Sequence, residues 1–358
     1  MNTKQLFKLL EDQATIRQVQ NLSFFVGFDG FIDSIYRIVK SRKDASHFTC
    51  MTQMHEFSDR IIQAHGKSTN LELVLQEERL GGNGPILACA LNQLGAPVSL
   101  VGALGYPMLE PLFQHLASRC KECISIAPSG KTDAFEFNDG KLLLGKHTSI
   151  LNLDEQTILD HIGKERLIRL LETSTLFASA NWTMLFGITA FWKLLEADIL
   201  PKLTQKPEWM FVDLADPAKR HDSDILDAMH ILSKLQKQLK VVLGLNVAEA
   251  ERIAQVLKCL PNAQAICQAL QIEQVVIHAI QEAEAATSST SIKVTGPYVK
   301  QTLITTGGGD NFNAGYLLGL GLHLDLESCL YLATYTSGYY VEHGKSPTLQ
   351  ELSGYLKR

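Results

Sequence analysis

Short apolar runs alternate with longer stretches of helical periodicity along most of the chain. The runs Leu22–Phe28, Val98–Ala103, Leu176–Ala180, Met210–Leu214, Val241–Leu245 and Val275–His278 predict buried strands. Between them, Asn83–Leu94, Met108–Ser118, Asp154–Leu171, Ile188–Leu200, Ser223–Leu239 and Val247–Leu257 predict helices. Strands separated by helices of this length imply crossover connections and a mainly parallel sheet covered on both faces, an α/β fold. Two segments break the alternation. Leu71–Leu80 interleaves polar and apolar residues, and Asp133–Lys146 carries Asn138-Asp139-Gly140, a hairpin turn signal. Both are too amphipathic for the centre of a parallel sheet, and they predict a small separate sheet, a lid with segments near 67–80 and 132–147. A last helical stretch from Asp310 to about Glu342 predicts two helices broken near Gly321–Asp325.

Composition narrows the class. The 358 residues can bury a large core without disulfides or a structural metal. No fixed-period repeat or low-complexity linker divides them, so residues 1–358 read as one domain. Lys plus Arg is 33 and Asp plus Glu 38, a net charge of −5, which argues against nucleic acid or an anionic membrane surface as partner. The most apolar run, Tyr316 to Tyr335, is broken by His323, Asp325 and Glu327, so no membrane span is expected. The start Met1-Asn2-Thr3-Lys4-Gln5 leads into an amphipathic pattern at Leu6, Leu9 and Leu10, so no secretory signal is expected either. Seven cysteines without regular spacing suit a reducing cytoplasm. Cys120 and Cys123 form a single C-x-x-C near His115; a zinc site would want a second such pair, so they read as ordinary thiols.

The sharpest chemical feature is Thr305-Thr306-Gly307-Gly308-Gly309-Asp310-Asn311-Phe312-Asn313-Ala314-Gly315. Three glycines ahead of a helical pattern let the backbone turn tightly with its N–H groups toward one cavity. The helix start adds unpaired N–H groups and the positive end of its dipole, a place suited to an anion. A Gly-rich turn closed by a capping Asp310 is the plainer alternative.

These residues resemble the C-terminal signature of the ribokinase-like (PfkB) carbohydrate kinases, D-T-x-G-A-G-D-x-F-x-x-G, on which Thr305, Gly307, Gly309, Asp310, Phe312 and Gly315 stand. Leu80-Gly81-Gly82-Asn83-Gly84-Pro85, followed by Ala88, Leu94-Gly95 and Val101-Gly102, is similar to the N-terminal signature. Gly244-Leu245-Asn246-Val247-Ala248-Glu249 resembles the family's N-x-x-E motif. The resemblance implies a three-layer α/β/α sandwich with a β lid, and transfer of the ATP γ-phosphoryl to a hydroxyl of a sugar or nucleoside-like small molecule. It implies the Gly307, Gly308 and Gly309 amides as an anion hole and Asp310 as base. As a helix-terminal carboxylate, Asp310 is expected to ionise easily. Magnesium is implied at Asn246 and Glu249, which would equally make a reciprocal helix cap. The acceptor is implied at Asp33, with Asp29 competing for that role, and at Gly82 and Asn83. The nucleotide is implied at Thr306, His278 and Gly344, although Gly344 before Pro347 also reads as a helix stop.

Several positions depart from the signatures. Ile304 replaces the leading Asp, which the family links to a monovalent cation site. His278-Ala279-Ile280 lacks the glycine expected beside the nucleotide, Ile86 replaces an Asn, and Gly105-Tyr106-Pro107 replaces Gly-Asp. They motivate an alternative, a catalytically silent sugar- or nucleotide-binding protein of the same fold. Gly66-Lys67-Ser68-Thr69 mimics a P-loop, but Ile61 stands at the required glycine. A dinucleotide oxidoreductase would need G-x-G-x-x-G after the first strand, which Gly27-Phe28-Asp29-Gly30 does not supply. The open lid sheet favours cover by a second copy, a homodimer through the lid.

Overall fold

The computed structural model describes residues 3–357. Met1 and Asn2, where the amphipathic start begins, lie outside the described residues, and the pattern continues as the helix Thr3–Glu11 with Leu6 and Leu10 buried. The strands in chain order are β1 (Phe24–Phe28), β2 (Phe31–Arg42), β3 (Phe48–Cys50), β4 (Leu73–Gly81), β5 (Val98–Gly102), β6 (Glu122–Ser125) and β7 (Gly130–Phe137). They continue as β8 (Gly140–Lys146), β9 (Leu176–Ser179), β10 (Trp209–Asp213), β11 (Lys240–Asn246), β12 (Gln274–His278), β13 (Glu282–Ala286) and β14 (Ser291–Thr295).

Nine of them form one sheet in the order β14-β13-β12-β11-β10-β9-β1-β5-β6. From β12 to β6 every pairing is parallel, and each of the six runs expected from the sequence lies in this stretch. Alternation puts Phe25, Phe177, Met210, Val212 and Leu243 into one core. It puts Phe24, Leu176, Phe211, Val242 and Val276 into a second core on the opposite face. Helices cover both faces, the three-layer arrangement that a doubly buried parallel sheet requires. At the far edge, β13 and β14 add antiparallel strands that the sequence did not predict. Glu282-Ala-Glu-Ala-Ala has a helix-forming composition, but as a strand it buries Ala283, Ala285 and Ala286 against the sheet.

The lid is a five-stranded sheet in the order β3-β2-β7-β8, with β4 paired to β2. The two expected segments are β4 and the β7–β8 hairpin. Its central strand, β2, was not expected, because a register shift at Ile35/Tyr36 interrupts the two-residue alternation. The stretch Asp154–Leu171, expected as one helix, is two, Glu155–Ile162 and Lys164–Glu172, parted at Gly163.

After β14 come two long helices, Gly308–Gly321 and Leu326–His343. The first is buried on all sides, which accounts for its apolar second half, Ala314–Gly321, while Asp310, Asn311 and Asn313 are buried polar residues in its first half. A Cβ on Gly315 would meet the Leu332 carbonyl oxygen at 2.5 Å, so the two backbones approach closely only because glycine stands there. Among the described residues no helix is long and apolar enough to cross a membrane.

Candidate active site

The N-terminus of the helix Gly308–Gly321 faces the carboxyl-end residues of the parallel strands, where ligands gather in open α/β sheets. Gly307 caps this helix with φ 89°, a left-handed conformation that costs glycine nothing. Thr305-Thr306-Gly307-Gly308 closes as a turn, with the Gly308 N–H donating to the Thr305 carbonyl at 3.1 Å. Gly308 is therefore an unsuitable member of the expected anion hole, because its N–H is already engaged. The N–H groups of Gly307, Gly309 and Asp310 have no acceptor among the described residues, the usual condition of a helix start awaiting an anion. His278, at the end of β12, lies against this turn; its Nε2 is 3.4 Å from where a Gly309 Cβ would stand, and its ring packs on Phe312 at 5.0 Å. Burial pushes its pKa down to about 4, so a neutral imidazole borders the turn near pH 7.

Asp310 is 7% exposed and accepts a hydrogen bond at Oδ1 from the Asn83 side-chain amide, 3.0 Å away. Its setting overturns the expectation of an easily ionised carboxylate. Burial raises its pKa well above the usual range, and the Asp213 and Asp29 carboxylates raise it further. Desolvation and like charge outweigh the hydrogen bond from Asn83, which favours the charged form.

Asp29 also takes a place other than the expected one. It has no exposed surface. Its Oδ2 accepts from the Asn83 N–H at 2.9 Å and the Asn181 amide at 2.8 Å, while Oδ1 accepts from the Gly84 N–H at 2.7 Å. Burial nevertheless pushes its pKa up to about 6. Asp29 thus ties the Gly82-Asn83-Gly84 turn to the end of β1, with Gly82 capping the helix Asn83–Gln93 directly above it. Asn83, expected on the sugar, holds Asp310 instead.

Asn246 and Glu249 make the reciprocal cap: the Asn246 Oδ1 accepts from the Glu249 N–H at 3.0 Å, and the Glu249 Oε2 from the Asn246 N–H at 2.8 Å. Burial and then Asp213 push the Glu249 pKa up to about 8. Asp213, at the end of β10, was missed in the sequence, although an acid closing a parallel strand is a usable signal. It accepts from the Ala215 N–H at 2.9 Å and the Asn313 amide at 2.7 Å. None of Asp29, Asp213, Glu249 and Asp310 forms an ion pair among the described residues. Four buried acids without a cation fit a hard divalent ion bound largely through water, such as magnesium. No closely packed set of three His, Cys, Asp or Glu ligands occurs among the described residues.

A cavity of about 260 Å³ opens between the lid and the glycine turn. Asp33, Arg79, Thr132 and Lys141 reach it from the lid, and Ile86, Ile304, Thr306 and Tyr340 from the body. Burial raises the Asp33 pKa, while a hydrogen bond with Thr132 and the charges of Arg79 and Lys141 oppose the rise. Arg79, Thr132 and Lys141 were not singled out in the sequence, since only lid pairing brings them beside Asp33. Ile304 and Ile86, two of the four departures from the signatures, are apolar wall. Gly344 is the left-handed C-cap of the helix Leu326–His343, its N–H donating to the Tyr340 carbonyl, which matches the helix-stop alternative.

Solved structures share this architecture. The chain matches Arabidopsis thaliana ribokinase complexed with ribose and ATP at TM-score 0.63 and 16% identity, covering 94% of this chain and 99% of that one. It matches the Methanocaldococcus jannaschii nucleoside kinase at TM-score 0.61 and 15% identity, covering 94% and 98%. These likenesses place it in the ribokinase-like fold class. Sequence comparison is more specific. Residues 11–358 match the family model of prokaryotic ketohexokinase. The ketohexokinase of Haloferax volcanii is 28% identical over 342 residues, which is 92% of this chain and 90% of that protein. The chain belongs to the prokaryotic ketohexokinase family and is a carbohydrate kinase.

Proposed function

We propose that this kinase moves the γ-phosphoryl of ATP to a hydroxyl of a ketohexose, with Asp310 as the base. The observation that carries the reading is a buried carboxylate of raised pKa placed one residue after unpaired N–H donors at a helix mouth. Those donors, on Gly307, Gly309 and Asp310, would meet the charge spread over the phosphoryl oxygens as the transition state loosens. Asp310 would take the proton of the attacking hydroxyl, and its raised pKa makes it a better proton acceptor than a solvated carboxylate. Asn83 would hold that carboxylate toward the sugar. Asp33 and Thr132 would bind sugar hydroxyls from the lid side of the cavity. Neutral His278 would line the nucleotide side beside Thr306. Magnesium, when bound, supplies positive charge to the phosphates and the acidic cluster; Asn246 and Glu249 would hold it with Asp213 nearby. The ketohexose assignment rests on the family and on its haloarchaeal relative.

The test is ADP release from magnesium-ATP with a panel of ketohexoses, aldoses and nucleosides, and phosphorus NMR of the product. Fastest turnover with a ketohexose is expected. Thermal stabilisation by a sugar without ADP release would replace this reading by silent binding.

A further inference from the structure

The three carbonyls that run through the glycine turn are each held by a side chain. The Tyr340 hydroxyl donates to the Thr306 carbonyl at 2.9 Å, and the Ser337 hydroxyl to the Gly308 carbonyl at 2.9 Å. Between them, the Gly307 carbonyl accepts from both the backbone N–H and the side-chain amide of Asn311, at 3.0 and 2.9 Å. Asn311 is itself fixed by the Ser346 hydroxyl, which donates to its Oδ1 at 2.7 Å.

A trans peptide is planar, so its N–H points opposite to its C=O. Holding the Thr306 carbonyl therefore aims the Gly307 N–H, and holding the Gly308 carbonyl aims the Gly309 N–H. These are two of the N–H groups left without an acceptor, while the Gly308 N–H between them is engaged within the turn. Both hydroxyls come from one helix, Leu326–His343, and stand three residues apart on one face of it. A run of three glycines has no side chains to restrict its peptide rotation. The Gly307–Gly308 peptide is held by Thr305 and Asn311, but the Thr306–Gly307 peptide lies before the helix and the Gly308–Gly309 peptide in its first turn. Without the two hydroxyls these planes would sample other orientations, and the productive arrangement would have to be recovered in every turnover.

We infer that Tyr340 and Ser337 are positioning residues that preorganise the phosphoryl-binding amides by locking the Thr306–Gly307 and Gly308–Gly309 peptide planes; this rests on the phosphotransfer reading above. Preorganised donors stabilise developing charge without rearranging as it forms. The locks therefore act on the transition state more than on either ground-state ligand, and their loss belongs in kcat. Tyr340 also borders the sugar cavity, so a purely cavity-lining role would show in the KM for sugar.

The experiment compares the parent with Tyr340→Phe, Ser337→Ala, Ser337→Thr and the double variant Tyr340→Phe/Ser337→Ala. The expected result is a fall in kcat of roughly tenfold for each single loss of a hydroxyl, below the 10²–10³ seen when a donor itself is removed. The KM values for sugar and ATP stay within about twofold, Ser337→Thr recovers most of the rate, and the double variant falls less than the product of the singles, as residues acting as one unit do. A second readout is binding of ADP with aluminium fluoride, a mimic of the phosphoryl in flight. Its affinity falls by the same factor as kcat, while that of ADP alone is unchanged. Parental kcat in both single variants, or a change confined to the sugar KM or to Tm, overturns the inference and leaves the kinase reading intact. A parent that releases no ADP with any acceptor overturns both.

Discussion

Replacing Asp310 by Asn separates chemistry from stability, because the two respond with opposite sign. The amide has nearly the same shape, and its oxygen can still accept the Asn83 N–H that now reaches Oδ1 at 3.0 Å. What disappears is a group able to take a proton. General-base contributions run to about 10²–10⁴ in rate, roughly 3–5 kcal/mol. The kcat should fall by that factor while the KM for sugar changes little. Folding responds the other way. Burial, followed by Asp213 and Asp29, raises the pKa of this carboxyl in the folded state. The folded protein then holds the proton more tightly than the unfolded chain, so stability is lost as pH rises through the folded pKa. A neutral amide has no such loss. The variant should melt above the parent at pH 8, with the difference closing toward pH 4. A buried polar group without full compensation costs about 1–3 kcal/mol, which for a chain this long is a few degrees in Tm. Steady-state ADP release and thermal melts at pH 5, 6.5 and 8 read both effects. Parental kcat would end the case for Asp310 as base. An inactive variant that melts below the parent at pH 8 would refute the electrostatic argument.

Other perturbations test the surroundings. Raised pKa values at Asp29, about 6, and Glu249, about 8, mean that the ligand-free protein loses stability as pH rises through that window, so its urea midpoint should be lower at pH 8.5 than at 5.5. The opposing carboxyls Glu56 and Glu351, both held down to about 2 by lysine partners and N–H groups, act only below about pH 4.5. Buried His278, pushed down to about 4, adds stability as pH rises through about 6.5 and offsets part of the loss from the two acids. Magnesium should narrow the gap; an equal midpoint at both pH values, with or without the ion, contradicts the acidic-cluster argument. Gly315→Ala sets a Cβ 2.5 Å from the Leu332 carbonyl oxygen and 2.7 Å from the Thr336 hydroxyl. Overpacking of this kind costs about 1–3 kcal/mol, against at most about 1 from the better helix former, and a denaturation midpoint at or above the parent's would show that the two helices separate freely. Asp33→Asn should raise the KM for sugar at least tenfold and leave the KM for ATP unchanged; an equal effect on both would remove Asp33 from the sugar side of the cavity.

The parallel sheet was legible because its strands are buried on both faces and so read as short apolar runs parted by helices. The glycine turn and the helix after it were legible for a related reason: Gly307-Gly308-Gly309-Asp310 is local chemistry, and the dipole and free N–H groups belong to the helix start itself. The strand β2 was hidden by its bulge, and β13 by a composition that favours helix until antiparallel pairing buries its alanines. Charge was the deepest gap. Asp29, Asp213, Glu249 and Asp310 are widely separated in the chain, and nothing local in any of them signals a raised pKa; it arises because two strand ends and two helix starts bring four carboxyls into one dry region. The same holds for Asn83 on Asp310 and for Tyr340 and Ser337 on the glycine carbonyls. A sequence specifies which groups can donate, accept or bend, because those properties are covalent. Which donor meets which acceptor, and how far water is excluded from them, depends on distance and dielectric, and only the folded chain sets those.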